Sequence, residues 1–94
     1  MAQFIPTLEQ MDLLTFLFER KYNLIMSSIS VADIAIEFAK DDGLPNHSEA
    51  MIRKHLDGLC VAGLAGYGVK IGNTYTYYVT KAGIAFLKEA TGLK

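Results

Sequence analysis

Three side chains that could bind a metal ion lie in the second half of the chain: His47, His55 and Cys60. Imidazole and thiolate groups are common zinc ligands, but they usually occur at short spacings such as Cys-x-x-Cys or His-x-x-x-His. Spacings of eight and five residues do not form a close set on a helix. We therefore expect no metal site, and we interpret His55 as a surface or interface residue and Cys60 as a small buried apolar one.

No pattern typical of catalysis accompanies these residues. The chain has neither a glycine-rich phosphate loop before a helix nor the strand-turn-helix serine motif of hydrolases. Asp41 and Asp42 are adjacent carboxylates, but Gly43 follows them, and this order is typical of a solvated helix end. The sequence predicts neither an enzyme nor a cofactor.

Basic side chains are unevenly distributed along a chain whose net charge is -1. Residues 1–43 carry seven acidic and three basic side chains, whereas residues 44–81 carry four basic and two acidic ones. Because binding to nucleic acid depends on neutralising phosphates, the second half of the chain is the candidate binding region. Arg53, Lys54 and Lys70 are its central cations.

The composition predicts one small domain, residues 1–94. Hydrophobic residues make up 51% of the 94 positions, more than one small core needs, which favours dimerisation. There is no basic leader with an apolar segment behind it, and no apolar run of the roughly 18 to 20 residues that a membrane span requires. We expect a cytoplasmic protein without a membrane partner.

Caps and apolar periodicity predict four helices. The predicted spans are Thr7 to about Tyr22, Val31 to about Asp42, Asn46 to about Ala62, and Lys81 to about Thr91. Thr7, Ser30, Asn46 and Thr80 are the predicted N-caps, because their side-chain oxygens can accept from free amides of the first turn. In the third helix, Ile52, Leu56 and Leu59 recur at helical spacing and should face the core.

Two strand-like stretches separate the last two helices. Tyr67–Ile71 and Thr74–Val79 are rich in β-branched and aromatic residues, and Gly72-Asn73 between them suits a tight turn. The sequence therefore predicts a β-hairpin. Residues 23–29 are predicted to form a connector or a short strand.

The segment from Ile52 to Leu64 (Ile-Arg-Lys-His-Leu-Asp-Gly-Leu-Cys-Val-Ala-Gly-Leu) resembles the recognition helix of winged-helix transcriptional regulators such as the ArsR, MarR and PadR-like groups. The segment from Tyr75 to Leu87 is similar to their second wing strand and following helix. The resemblance covers Ser30 to Leu87. It implies an α+β winged helix-turn-helix fold: a three-helix core, a two-stranded hairpin wing and a C-terminal helix. The helix-turn-helix spans about 30–63, the wing about 67–79 and the last helix about 81–91.

This resemblance implies sequence-specific binding to double-stranded DNA, with helix 46–62 in the major groove. The DNA-binding positions it implies are His47, Ser48, Glu49, Ala50, Arg53, Lys54, Lys70 and Asn73. Arg53 is the best candidate for contacting a base, because a guanidinium can donate two hydrogen bonds to guanine, and Ser48 and Lys54 are candidates for phosphate contacts. In the alternative interpretation Glu49 and Arg53 pair at i,i+4 on a solvated helix face.

The resemblance also implies a homodimer, in which the terminal helices contact a second copy. The predicted interface residues are Leu13, Phe16, Leu17, Phe86 and Leu93; alternatively, these side chains close a single small core. Two other functions stay open at this point. Near-neutral charge and a wing with one lysine favour a winged-helix module that binds protein in a larger assembly. A regulator with an apolar effector pocket is also compatible, although no polar anchor for a ligand is identifiable.

Overall fold

The computed structural model describes residues 5–42 and 48–92. The elements of this part of the chain are α1 (Leu8–Glu19), β1 (Ile29–Ser30), α2 (Val31–Asp42), α3 (Glu49–Val61), β2 (Ala65–Ile71), β3 (Thr74–Val79) and α4 (Lys81–Thr91). The three strands form one antiparallel sheet in the order β1-β3-β2. The predicted α+β class is confirmed, as is the order of three helices, a hairpin and a last helix.

The first helix has the predicted start but ends earlier than predicted. The Thr7 hydroxyl accepts from the Gln10 amide, and the Gln10 side chain accepts from the Thr7 amide, so the capping box is confirmed. The helix ends at Glu19, not near Tyr22, because Lys21 adopts a left-handed conformation with φ of 63°. The amide of Tyr22 then donates to the carbonyl of Leu17 at 2.9 Å, which closes a Schellman motif.

The starts of α2 and α3 follow from serine caps. The Ser30 hydroxyl accepts from the Asp33 amide at 3.2 Å, as predicted. The N-cap of α3 is Ser48, whose hydroxyl accepts from the Met51 amide at 3.2 Å, so the prediction of Asn46 as cap was wrong. Ser48 has an extended backbone, and the helix therefore begins at Glu49. Asn46 and Gly43 lie outside the described residues.

A second Schellman motif ends α3. Gly63 has a φ of 80°, and the amide of Leu64 donates to the carbonyl of Leu59 at 2.9 Å. Leu64 then turns back into the core. The Thr80 hydroxyl donates to the Gly63 carbonyl at 2.7 Å and accepts from the Gly83 amide at 3.0 Å. Thr80 thus caps α4 and also fixes the turn that follows α3.

The core lies where α1, α2, α3 and α4 meet the inner face of β3. Its fully buried large side chains are Leu13, Leu14, Leu17, Ile34, Leu56, Leu59, Val79 and Leu87. Ile52 is also buried, so the predicted inward face of α3 is confirmed. Leu13, Phe16 and Leu17, predicted as dimer-interface residues, are 1%, 7% and 0% exposed. They fill the core of the single chain, and their side chains are not available to a second copy.

The sheet contains one more strand than the hairpin. Ile29 and Ser30 pair with Tyr77 and Thr76 of β3, so part of the segment predicted as connector or short strand is a strand. The hairpin itself is confirmed, although β2 begins at Ala65, two residues before its predicted start. Among the described residues, no helix has the length and apolar character needed to cross a membrane.

Candidate nucleic-acid interface

The exposed face of α3 carries most of the predicted DNA-binding residues. Burial of Ile52, Leu56 and Leu59 turns the opposite side of the helix to solvent. The predicted residues on this exposed surface are Ser48, Glu49, Ala50, Arg53 and Lys54. His47 lies outside the described residues. The structure therefore brings five of the six helix positions together on one accessible surface.

Arg53 is not engaged by its own helix. Glu49 lies four residues before it, the spacing at which the two side chains could pair. Within residues 5–42 and 48–92 the ion pair found joins Arg20 to Glu37 at 3.2 Å, and none joins Glu49 to Arg53. The guanidinium of Arg53 is thus exposed and available to a partner.

The wing carries the two remaining predicted residues, Lys70 and Asn73. Asn73 follows Gly72 in the tight turn, where Gly72 has a φ of 62°, and both are exposed. Lys70 lies just before this turn, with its Nζ 5.5 Å from the centre of the Tyr75 ring. An irregularity in the pairing between Tyr67 and Lys70 shifts the strand register there.

A groove of about 350 Å³ separates α3 from the wing. Its lining includes Arg53 and Asp57 from the helix and Asn73, Tyr67 and Tyr75 from the hairpin. Two predicted DNA-binding residues, Arg53 and Asn73, thus face the same groove. The tyrosines make the groove wall both aromatic and capable of hydrogen bonding.

A hydrogen-bonded cluster that was not predicted from the sequence, formed by Asp57, Tyr67 and Tyr77, lines this groove. Oδ1 of Asp57 accepts from the Tyr67 hydroxyl at 3.0 Å and from the Tyr77 hydroxyl at 2.9 Å. The rings of Tyr67 and Tyr77 lie 5.3 Å apart. A regular hairpin around Gly72-Asn73 would place Tyr78 opposite Tyr67, and the register shift between Tyr67 and Lys70 brings Tyr77 there instead, so no sequence pattern signals the cluster.

The tyrosine hydroxyls of this cluster, and the thiol of Cys60 next to it, stay protonated at neutral pH. Desolvation, followed by the hydrogen bond to the Asp57 carboxylate, raises the pKa of Tyr67 to about 12. The same two causes raise the pKa of Tyr77. Burial and the charge of Asp57 raise the pKa of the Cys60 thiol to about 11. Cys60 is therefore a half-buried neutral thiol, with little thiolate to bind a metal or act as a nucleophile.

No group of metal-binding side chains is present within the described residues. His55 is half-buried on α3, and its backbone carbonyl accepts from the Gln10 side chain at 3.1 Å. This bond ties the start of α1 to α3. It is a contact between backbone and side chain that leaves the imidazole of His55 uninvolved.

Exposed apolar side chains lie on another part of the molecule. Leu24, Ile25 and Met26, in the turn after α1, are 61%, 54% and 85% exposed. They line a shallow apolar groove of about 490 Å³ together with Tyr78 and the start of α4. Of the remaining predicted interface residues, Phe86 is half-buried against the core and Leu93 lies outside the described residues.

Comparison with known proteins identifies the type of fold. No protein-family model matches the chain, and no curated protein matches it either. Among solved structures, TubR from Bacillus megaterium pBM400 is similar, with a TM-score of 0.70 and 28% sequence identity. The alignment covers 90% of this chain and 86% of TubR. The chain therefore has the winged-helix fold of TubR over nearly its whole length, with α2 and α3 as the helix-turn-helix and β2 and β3 as the wing.

Proposed function

We propose that this protein is a transcriptional regulator that binds double-stranded DNA sequence-specifically, with α3 in the major groove. The observation that carries the proposal is the exposed face of α3: Arg53 lines the groove between this helix and the wing, and the next residue, Lys54, is also exposed. Similarity to TubR supports the choice, because the third helix of a winged helix-turn-helix is the element shaped to enter the major groove.

Each predicted DNA-binding side chain at the start of α3 has a base or backbone partner of suitable chemistry. Arg53 would donate two hydrogen bonds to a guanine edge, and Glu49 would accept from the amino group of cytosine. Ala50 would contact a thymine methyl group. Ser48 uses its oxygen as the helix cap, but its hydroxyl proton stays available to a phosphate, and Lys54 would contact a second phosphate.

The wing contributes fewer contacts than the helix. Lys70 would approach a phosphate, and Asn73 at the turn would contact the sugar-phosphate backbone or the minor groove. Each neutralised phosphate adds about 0.9 to the slope of log affinity against log salt concentration. With Lys54 and Lys70 as the principal phosphate-binding cations, one chain alone would bind weakly, with a shallow slope.

A homodimer would double these contacts, and we propose that the protein binds DNA in this form. A two-fold pair of winged helices can present two α3 helices to successive major grooves, which lie roughly 34 Å apart on one side of the duplex. The apolar surface of Leu24, Ile25 and Met26 is the part of the described chain best suited to cover a second copy.

Selection of bound sequences from a random duplex pool, followed by fluorescence anisotropy across a salt series, tests the proposal. The purified protein should enrich a two-part site and should bind it more tightly than a scrambled duplex at every salt concentration. Absence of binding at about 50 mM salt, or binding that does not change with salt, would contradict DNA binding.

Arg53→Ala should reduce affinity for the selected site about tenfold or more and relax the preference at one base pair, because a bidentate contact contributes roughly 1–3 kcal/mol of discrimination. Lys88→Ala is the matched control. It removes the same charge from the exposed last turn of α4, away from α3 and the wing. Equal losses in the two variants would remove Arg53 from the base-contacting surface.

A further inference from the structure

A single carboxylate joins the wing to α3. Asp57 lies in the third turn of α3, and its Oδ1 accepts from the Tyr67 hydroxyl of β2 and the Tyr77 hydroxyl of β3. Both strands of the hairpin are therefore connected to the proposed recognition helix through one oxygen atom. Because the two donors come from different strands and share one acceptor on α3, this connection restrains the angle between the helix and the wing.

The charge of Asp57 is unfavourable for direct contact with DNA. Its carboxylate lines the same groove as Arg53 and Asn73, where a negative group repels phosphate oxygens. Its Oδ1 is already occupied by the two tyrosine hydroxyls. A role as a DNA contact therefore does not explain why a carboxylate stands at this position.

The position of Asp57 relative to Arg53 gives a second reason for holding the carboxylate toward the hairpin. Arg53 and Asp57 are four residues apart on α3, a spacing at which an arginine and an aspartate can pair. No ion pair joins them in the part of the chain that the structure describes. Because the tyrosine hydroxyls hold the carboxylate toward the hairpin, the guanidinium stays free for a base.

We propose that Asp57 is a positioning residue, which fixes the wing against α3 through Tyr67 and Tyr77 and thereby sets the DNA selectivity of the groove without touching DNA. This inference rests on the proposed function. It predicts that selectivity depends on the hydrogen-bond acceptor at residue 57 and not on its negative charge.

Asp57→Asn and Asp57→Ala form the matched pair that tests it. Both remove the same negative charge, but asparagine keeps an oxygen that can accept from the two tyrosines. The measurement is the ratio of dissociation constants for the selected duplex and a scrambled duplex of equal length. Each ratio comes from one protein sample, so it does not depend on the fraction that is folded. Asn should keep the ratio within about twofold of wild type, and Ala should lower it about tenfold, the size of one lost base contact.

Tyr67→Phe supplies an independent variant, since it removes one of the two hydroxyls and leaves the carboxylate in place. Its ratio should fall severalfold, whereas Tyr22→Phe, which changes a tyrosine outside this groove and outside the hairpin, should not change it. Equal ratios in Asp57→Asn and Asp57→Ala, or an unchanged ratio in Tyr67→Phe, would overturn the proposal.

Hydrogen-deuterium exchange of the free protein separates this inference from the proposed function. Wing amides of residues 66–79 should exchange faster in Asp57→Ala than in Asp57→Asn, because only the alanine variant loses the acceptor. Equal exchange in both variants would overturn the connection between wing and helix. If wild type fails to distinguish the two duplexes, the proposed function fails, while the exchange experiment still decides whether Asp57 holds the wing.

Discussion

Two residues end helices in the same way but with different side chains. Lys21 and Gly63 both occupy the left-handed position of a Schellman motif, with φ of 63° and 80°. In each motif the next amide donates back to a carbonyl of the last helical turn: Tyr22 to Leu17, and Leu64 to Leu59. The left-handed conformation costs roughly 1–2 kcal/mol for a residue with a Cβ. The sequence signals the glycine stop clearly, whereas a lysine gives no such signal, which explains why α1 was predicted to be too long.

Substitutions at these two positions should change the free energy of unfolding in opposite directions. Lys21→Gly should raise the free energy of unfolding by roughly 0.5–1 kcal/mol, because the relief of strain exceeds the added freedom of the unfolded chain. Gly63→Ala should lower it by about 1–2 kcal/mol, although space for a Cβ is open there. Urea denaturation followed by circular dichroism measures both. A stabilised Gly63→Ala variant would show that the turn does not require glycine.

Elements with strong local signals were predicted well from the sequence. α4 and β3 have their predicted bounds because Thr80 is an N-cap and because Gly72-Asn73 forms a tight turn. The two residues of β1 carry no such signal, since a strand this short is defined by its partner β3. The cluster at Asp57 was missed for the same reason. Its tyrosines come from two strands and its carboxylate from a helix, so the hydrogen bonds exist only after the elements have packed.

The contact between α4 and the turn after α3 depends on Gly83. A Cβ at this position would overlap the carbonyl oxygen of Leu64, a backbone atom that cannot rotate away. Helix propensity alone favours alanine over glycine by about 1 kcal/mol. Gly83→Ala should nevertheless destabilise the protein by roughly 1–3 kcal/mol, because α4 must shift. Thermal denaturation measures the change, and the melting temperature of Gly83→Ala should be lower than that of wild type.

Gly58→Ala is the control within a helix. The nearest atom to a Cβ there is the Gln10 Nε2 at 2.7 Å, the end of a flexible side chain that can move. The gain in helix propensity should offset much of the loss of the bond from Gln10 to the His55 carbonyl. The change in stability should therefore be smaller than for Gly83→Ala. Equal losses in the two variants would mean that the backbone contact at Leu64 does not determine how α4 packs.

The molecule as a whole combines a closed core with an apolar surface. The side chains of Leu13, Phe16 and Leu17 are used within one chain, so α1 does not offer them to a second copy. The exposed residues Leu24, Ile25 and Met26 lie in a turn within residues 23–29, which were predicted to form a connector or a short strand. A surplus of hydrophobic residues was visible in the composition, but which of them stay exposed depends on the packing of α1 against α4 and β3.

If this surface joins two copies, charge placed on it should separate them. Met26→Lys should convert a dimer to a monomer in sedimentation-velocity experiments, because a lysine buried in an apolar interface loses its hydration. Val61→Lys is the matched control. Val61 is the last residue of α3 and is 90% exposed, so a lysine there should leave the dimer intact. The monomeric variant should bind a two-part DNA site more weakly and with about half the salt slope, because it makes half the phosphate contacts. A Met26→Lys protein that stays dimeric would place the interface on another surface.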